Sequence, residues 1–150
     1  MRLIAHRANL NGSSPKTENS PEAIQQALAA GYQVEVDVWA DGRKLMLGHD
    51  KGVYPTTLSY LSNSDIIVHC KNAEALMAVY GSALNYFWHQ DDDYTVSSHG
   101  DLLIKPSSLP VPSGIILMPE LSPFPLDLIK LCAGVCTDKP SLYRTDNRLY

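Results

Sequence analysis

Short apolar runs recur along this chain, and most of them end on a residue that can carry charge or move a proton. Arg2–Ala5 leads into His6-Arg7, and Gln33–Trp39 carries Glu35 and Asp37. Asp65–Cys70 contains His69 and stops at Lys71, while Asn85–His89 stops at His89 itself. Gly114–Met118 is followed by Pro119-Glu120, and Val135–Thr137 by Asp138. Runs of this length bounded by turn residues read as strands. Helical segments between several of them make the chain an α/β protein with a largely parallel sheet. In such folds the C-terminal edge of the strands carries the active site. The polar residues gather there.

Local signals place the other elements. Pro21–Ala30 reads as a helix, with Ser20 as N-cap, Pro21 at the first helical position and Gly31 as the stop. Gln33–Trp39 alternates strictly, with Val34, Val36 and Val38 on one face and Glu35, Asp37 and Trp39 on the other. Asp41-Gly42 signals a hairpin, with Lys44–Gly48 as the return strand before His49-Asp50. After a loop and the Asp65–Cys70 strand, a helix is expected over Ala73–Ser82, its inner face formed by Leu76, Val79 and Tyr80. Leu102–Ile104 reads as a strand and Pro125–Ala133 as a short helix; the tail Asp146–Tyr150 is polar.

At 150 residues the chain suits a single domain spanning 1–150. Its 16 acidic against 12 basic residues leave no basic stripe for nucleic acid. No stretch approaches the roughly eighteen apolar residues of a membrane span, and the N-terminal run is too short for a signal peptide. Cys70, Cys132 and Cys136 cannot all pair; as free thiols they indicate a reducing, cytoplasmic setting, with a Cys132–Cys136 disulfide as the lesser alternative. Asp91-Asp92-Asp93 lacks the glycine and downstream acid of a calcium loop and reads as a solvated turn. His99 reads as a surface residue, and Trp88 as core or wall.

The N-terminal third carries a family resemblance. Ile4-Ala5-His6-Arg7, Thr17-Glu18-Asn19-Ser20, a helix ending in Ala30-Gly31, Glu35-Val36-Asp37-Val38, Asp41-Gly42 and His49-Asp50 follow one another in the order of the glycerophosphodiester phosphodiesterases. These form a branch of the phospholipase-C-like phosphodiesterase superfamily. Val68-His69-Cys70-Lys71 and Gly134-Val135-Cys136-Thr137-Asp138-Lys139-Pro140 resemble the family's later motifs more faintly. The resemblance implies a (β/α) barrel, a divalent cation and cleavage of a phosphodiester. Carried over, His6 and His49 become the general acid/base pair, and Glu35 and Asp37 metal ligands, with Glu18 a further ligand or close neighbour. Arg7 and Lys71 become phosphate contacts.

The residues support this chemistry on their own terms. Diester cleavage needs a base, an acid and positive charge on the developing oxyanion, and two near-neutral histidines can share the proton work. Carboxylates two apart on a strand share one face about 6.5–7 Å apart and can reach one hard cation. Mg²⁺ or Ca²⁺ fits best, Mn²⁺ next. A glycosidase pair would instead face across the scissile bond.

The departures point to a shortened member. Ala8 stands where the family carries glycine, and His69 where a third acidic ligand is expected, which weakens hard cations relative to softer ones. Glu120 is a candidate to replace that carboxylate, and His69, His89 and Glu120 are candidate pocket residues. Barrels of this kind usually need about 250 residues. The expectation is therefore a reduced TIM-like barrel with seven or eight strands and several helices missing, whose uncovered strands give reason to form a homo-oligomer. The leading function is metal-dependent cleavage of a small glycerol- or sugar-linked phosphodiester. The alternative is a non-catalytic module that binds the same phosphate ligands.

Overall fold

The computed structural model describes residues 1–144; the polar tail lies outside them. The strands are β1 (Arg2–His6), β2 (Gln33–Asp41), β3 (Lys44–Leu47), β4 (Tyr54–Thr56), β5 (Ile66–Cys70), β6 (Asn85–Trp88), β7 (Tyr94–Val96), β8 (Leu102–Ile104), β9 (Gly114–Leu117) and β10 (Gly134–Thr137). The helices are α1 (Pro21–Ala29), α2 (Leu58–Leu61), α3 (Ala73–Val79) and α4 (Leu126–Ile129).

Seven strands run parallel in the order β6-β5-β2-β1-β10-β9-β8. β3 joins the far half of β2 antiparallel, β4 joins β3, and β7 joins β8. This corrects the barrel expectation. The sheet is a mixed, curled half-barrel with only four short α-helices among the described residues, not an α/β TIM-like barrel. Among the described residues no strand ladder joins β6 to β8. The two edges are stapled instead: Ser98 donates its N–H to the Tyr86 carbonyl, and Asn85 Nδ2 donates to Asp101. The physical reason is the connections. Lys105–Ser113, between β8 and β9, holds Pro106, Pro110 and Pro112, which forbid a crossover helix. Between β2 and β5 the chain builds β3, β4 and the one-turn α2.

Helix α1 forms as its caps dictate. Ser20 accepts from the Ala23 N–H, Pro21 opens the helix, and Ile24 and Ala27 are fully buried. Those side chains meet Val34, Val36 and Val38 of β2 and Ala75 and Val79 of α3 in the largest core cluster. Tyr80 does not join them as expected. α3 ends at Val79, the Tyr80 backbone turns extended, and its side chain is 79% exposed. α4 is also shorter than read, because past Ile129 the chain tightens into i→i−3 turns, with the Leu131 and Cys132 N–H groups donating to the Leu128 and Ile129 carbonyls.

The other face of the sheet holds a second cluster. Ile4, Ile67, Phe87, Leu103, Ile115 and Cys136 come from six different strands and pack together inside the curl. Strand side chains repeat every two residues. The next inward positions toward the C-terminal ends are therefore His6, His69, Leu117 and Asp138. No helix of the described residues is long and apolar enough to cross a membrane.

Candidate metal centre and proton-transfer site

The inward faces of β1, β2 and β5 set the centre by register. His6 pairs with Glu35, and Asp37 pairs with His69, so four ionisable side chains are held side by side by ladder hydrogen bonds. Glu35 and Asp37 are buried, at 4% and 1% exposure. Glu35, Asp37 and His69 each offer a ligand atom, all within 4.8 Å of one another, and could hold a metal ion.

Each carboxylate is oriented. Asn19, in a left-handed turn before α1, clamps Asp37 twice: Nδ2 donates to Oδ2 at 3.0 Å, and Oδ1 accepts the Asp37 N–H at 2.9 Å. Asp37 Oδ1 lies 3.1 Å from His69 Nδ1 and 3.7 Å from Lys71 Nζ. Arg7 Nε sits 3.2 Å from Asp37 Oδ2 without the alignment of a hydrogen bond. Glu35 accepts the Arg7 backbone N–H at 3.1 Å and lies 3.5 Å from His69 Nδ1. Burial would raise the Asp37 pKa, but the hydrogen bond from His69 and the charges of His69 and Lys71 outweigh it and hold the carboxyl well below its usual range.

The donor set fits a cation. His69 Nε2 lies 3.0 Å from the His89 carbonyl, which can only accept, so Nε2 carries a proton and Nδ1 faces the two carboxylates. With no cation there, Nδ1 must also be protonated. Burial opposes that charge, yet the hydrogen bonds to Asp37 and Glu35 prevail and push the His69 pKa up to about 9. A divalent ion would take the place of that proton. Glu18 stands nearby: Oε1 meets Arg7 at 3.4 Å, while Oε2 is buried with no partner. Phe87 lies flat under the His69 ring, 4.7 Å between centroids, and fixes its plane.

His6 is positioned for proton transfer. Its Nδ1 lies 2.8 Å from Asp138 Oδ1, which also accepts from Asn9 at 2.9 Å. The carboxylate assigns the proton to Nδ1 and leaves Nε2 as the basic nitrogen, 4.0 Å from Glu35 Oε2. Burial lowers the His6 pKa, but Asp138 and Glu35 more than offset it, and the net direction is up.

His49 arrives from the turn after β3. Gly48 donates its N–H to the Asp37 carbonyl at 3.1 Å, and Trp39 Nε1 donates to the Gly48 carbonyl at 2.8 Å. Gly48 sits at φ 153°, and a Cβ there would run into the Lys51 carbonyl, so only glycine permits this turn. His49 Nδ1 lies 2.8 Å from Asp50 at the surface. The result is one cavity of about 360 Å³ whose lining includes His6, Arg7, Glu35, His49, His69 and Lys71.

His89 lines this cavity as well. Its buried Nδ1 lacks a hydrogen-bond partner, and burial together with the His69 charge lowers its pKa. Glu120 does not reach the centre. It is exposed and accepts from Thr137 Oγ1 and the Asp138 N–H, bracing the end of β10. All three cysteines are free and buried, and burial pushes Cys70 up to about 12.

The orienting residues were harder to see in the sequence. Asp138 obeys the same strand-end rule as His6 and His69, which marks it in the sequence without showing that it holds His6. Asn19, Asn9 and Trp39 act across 18, 129 and 9 residues respectively, with no local signal. Backbone strain adds another mark. Among the described residues the non-glycine positions with positive φ are Arg7, Ala8, Asn19 and Met118. Arg7 and Met118 line the cavity, Ala8 follows Arg7, and Asn19 clamps Asp37. Such conformations cost roughly 1–3 kcal/mol each and gather where function fixes the backbone. Comparison with protein-family models, with curated proteins and with solved structures gives no match for this chain.

Proposed function

We propose that this chain is a divalent-cation-dependent phosphodiesterase that cleaves a small glycerol- or sugar-linked phosphodiester. The observation that carries the reading is the convergence of His6 and His49, the ligand candidates Glu35 and His69, and the cations Arg7 and Lys71 on one cavity, with Asp37 buried beside them.

His6, relayed to Asp138 through Nδ1, takes the proton of the attacking oxygen on Nε2. That oxygen comes from a neighbouring substrate hydroxyl or from water. His49 returns a proton to the leaving oxygen. Arg7 and Lys71 hold phosphoryl oxygens, and the buried wall keeps their charge unscreened. Glu35, Asp37 and His69 would hold the cation, with Glu18 beside them; when bound it supplies positive charge that stabilises the phosphoryl oxygens.

One observation favours a second reading. The His69 imidazolium satisfies Asp37 and Glu35 without any cation, as a non-catalytic phosphate-binding module would require.

Turnover separates the two. The chain is stripped with EDTA and assayed on a chromogenic phosphodiester and on glycerophosphodiesters, with Mg²⁺, Ca²⁺ or Mn²⁺ restored in turn, alongside His6→Ala and His49→Ala. Cation-dependent cleavage that both substitutions abolish supports the enzyme. Cleavage that survives EDTA or either substitution refutes the mechanism, and glycerol phosphate binding without turnover establishes the module.

A further inference from the structure

The cavity has two unlike walls. β1, β2 and β5 line one with His6, Arg7, Glu35, His69 and Lys71. The end of β9 and the proline-bearing connection line the other with Pro106, Leu117 and Met118, while the Trp88 side chain alternates with Phe87 to the opposite face and packs on the largest core cluster. The three side chains are half-buried, so each keeps apolar surface for a ligand. Such surface in a cleft beside convergent polar groups is what orients a small molecule.

Met118 gives an independent indication. It sits at φ 44°, ψ 58°, a left-handed conformation that an unbranched apolar residue rarely adopts. Its N–H donates to the Cys136 carbonyl at 2.7 Å, and its carbonyl accepts from Leu121 at 2.9 Å. The backbone is thus held in a strained state on the cavity rim, at a position where glycine would be comfortable. The volume sets the size of the ligand. About 360 Å³ lies near the small end of ligand cavities, with room for a phosphate and two compact substituents but not for a long acyl chain.

We infer that the substrate carries a compact apolar alcohol, aryl or short alkyl, which rests against Leu117 and Met118 while its polyol lies on the charged side. This rests on the phosphodiesterase reading, and it names the ester partner that the resemblance to glycerophosphodiesterases leaves open.

The test is equilibrium binding of phenyl phosphate and of glycerol 3-phosphate to the intact chain, by calorimetry in Mn²⁺. Phenyl phosphate binds about tenfold more tightly, the factor expected of one well-packed apolar contact. In Leu117→Ala and in Met118→Gly the ratio falls toward one. Melting curves confirm folding of each variant; Met118→Gly relieves the left-handed strain and carries the test if Leu117→Ala does not fold. Equal binding by the wild type, a ratio that persists in both variants, or no binding of either ligand overturns the inference. Turnover of aryl and glycerol diesters is measured in parallel. A binding preference with no turnover refutes the phosphodiesterase reading alone, and turnover of both without a preference refutes the apolar subsite alone.

Discussion

His69 makes the stability of the cation-free chain depend on pH in a direction that can be worked out. Its pKa rises from the ordinary 6.5 to about 9 in the folded chain, after burial has been offset by Asp37 and Glu35. Below pH 6.5 both folded and unfolded chains hold the proton, and the full stabilisation is present. Between 6.5 and 9 only the folded chain holds it, so stability falls as pH rises and the contribution is gone above 9. At about 1.4 kcal/mol per pH unit the span is worth about 3 kcal/mol as an upper bound. For a chain of this size that is roughly 6–12 °C in Tm. Most of the fall lies below pH 8.5, before ionisation of the cysteine thiols in the unfolded chain adds its own slope in the same direction. The assay is calorimetric melting from pH 5.5 to 8.5 in EDTA, for the wild type and His69→Gln. His6, whose pKa is also raised, tilts both curves alike, so their difference isolates His69. With Mn²⁺ present the sign reverses: the ion needs the Nδ1 lone pair, and its affinity should climb up to about tenfold per pH unit across the same window. Equal pH slopes for wild type and His69→Gln in EDTA would refute the imidazolium, and Mn²⁺ affinity independent of pH would refute His69 as a ligand.

Three other perturbations address separate parts of the argument. His6→Ala should lower kcat by about 10²–10⁴, and Asp138→Asn should lower it less while moving the acid limb of the kcat/KM pH profile downward, because the carboxylate raises the His6 pKa. A profile unmoved by Asp138→Asn removes Asp138 from the proton pathway. Ala8→Gly relieves a φ of 64° at a buried residue and should add about 0.5–1 kcal/mol in denaturant melts; a loss would show that the Ala8 methyl packs for more than the strain costs. Asp101→Asn, at the opposite end of the curl, removes the bidentate partner of Arg2 and should cost about 1–2 kcal/mol without changing Mn²⁺ affinity, and a matching loss of affinity would tie the centre to that distant staple.

The parts of the fold that the sequence made legible are those where one physical signal acts alone. β2 alternates because Val34, Val36 and Val38 meet α1 and α3 while Glu35 and Asp37 turn inward, so its period of two survives in the bare sequence. The cap Ser20 and the stop at Gly31 are local as well. β4, α2 and β7 were missed because three- or four-residue elements around Pro55 or after three aspartates have too few positions to show a period. The barrel expectation failed for a different cause. Counting strands and strand-end residues gives parallel pairing but not closure, which depends on what fills each connection. Three prolines between β8 and β9, and two hairpin strands between β2 and β5, decided that.

The helices are spread unevenly over the sheet, and the division of the cavity follows from it. His6, Glu35, Asp37 and His69 stand on the strands backed by α1 and α3, where the largest core cluster fixes the backbone from behind. A cation site tolerates only a few tenths of an ångström in its ligands, so it belongs on that rigid half. β8 and β9 have less behind them: the short α4 covers Ile116 of β9 and Val135 of β10 with a small cluster of its own. That half contributes Pro106, Leu117 and Met118, whose dispersion contacts survive larger displacements than a coordination bond does. A sheet covered by helices mainly on one side can therefore hold its ionisable side chains there. The half with less support is left to recognise shape and apolar surface, and it is there that variants should retune specificity without disturbing the centre.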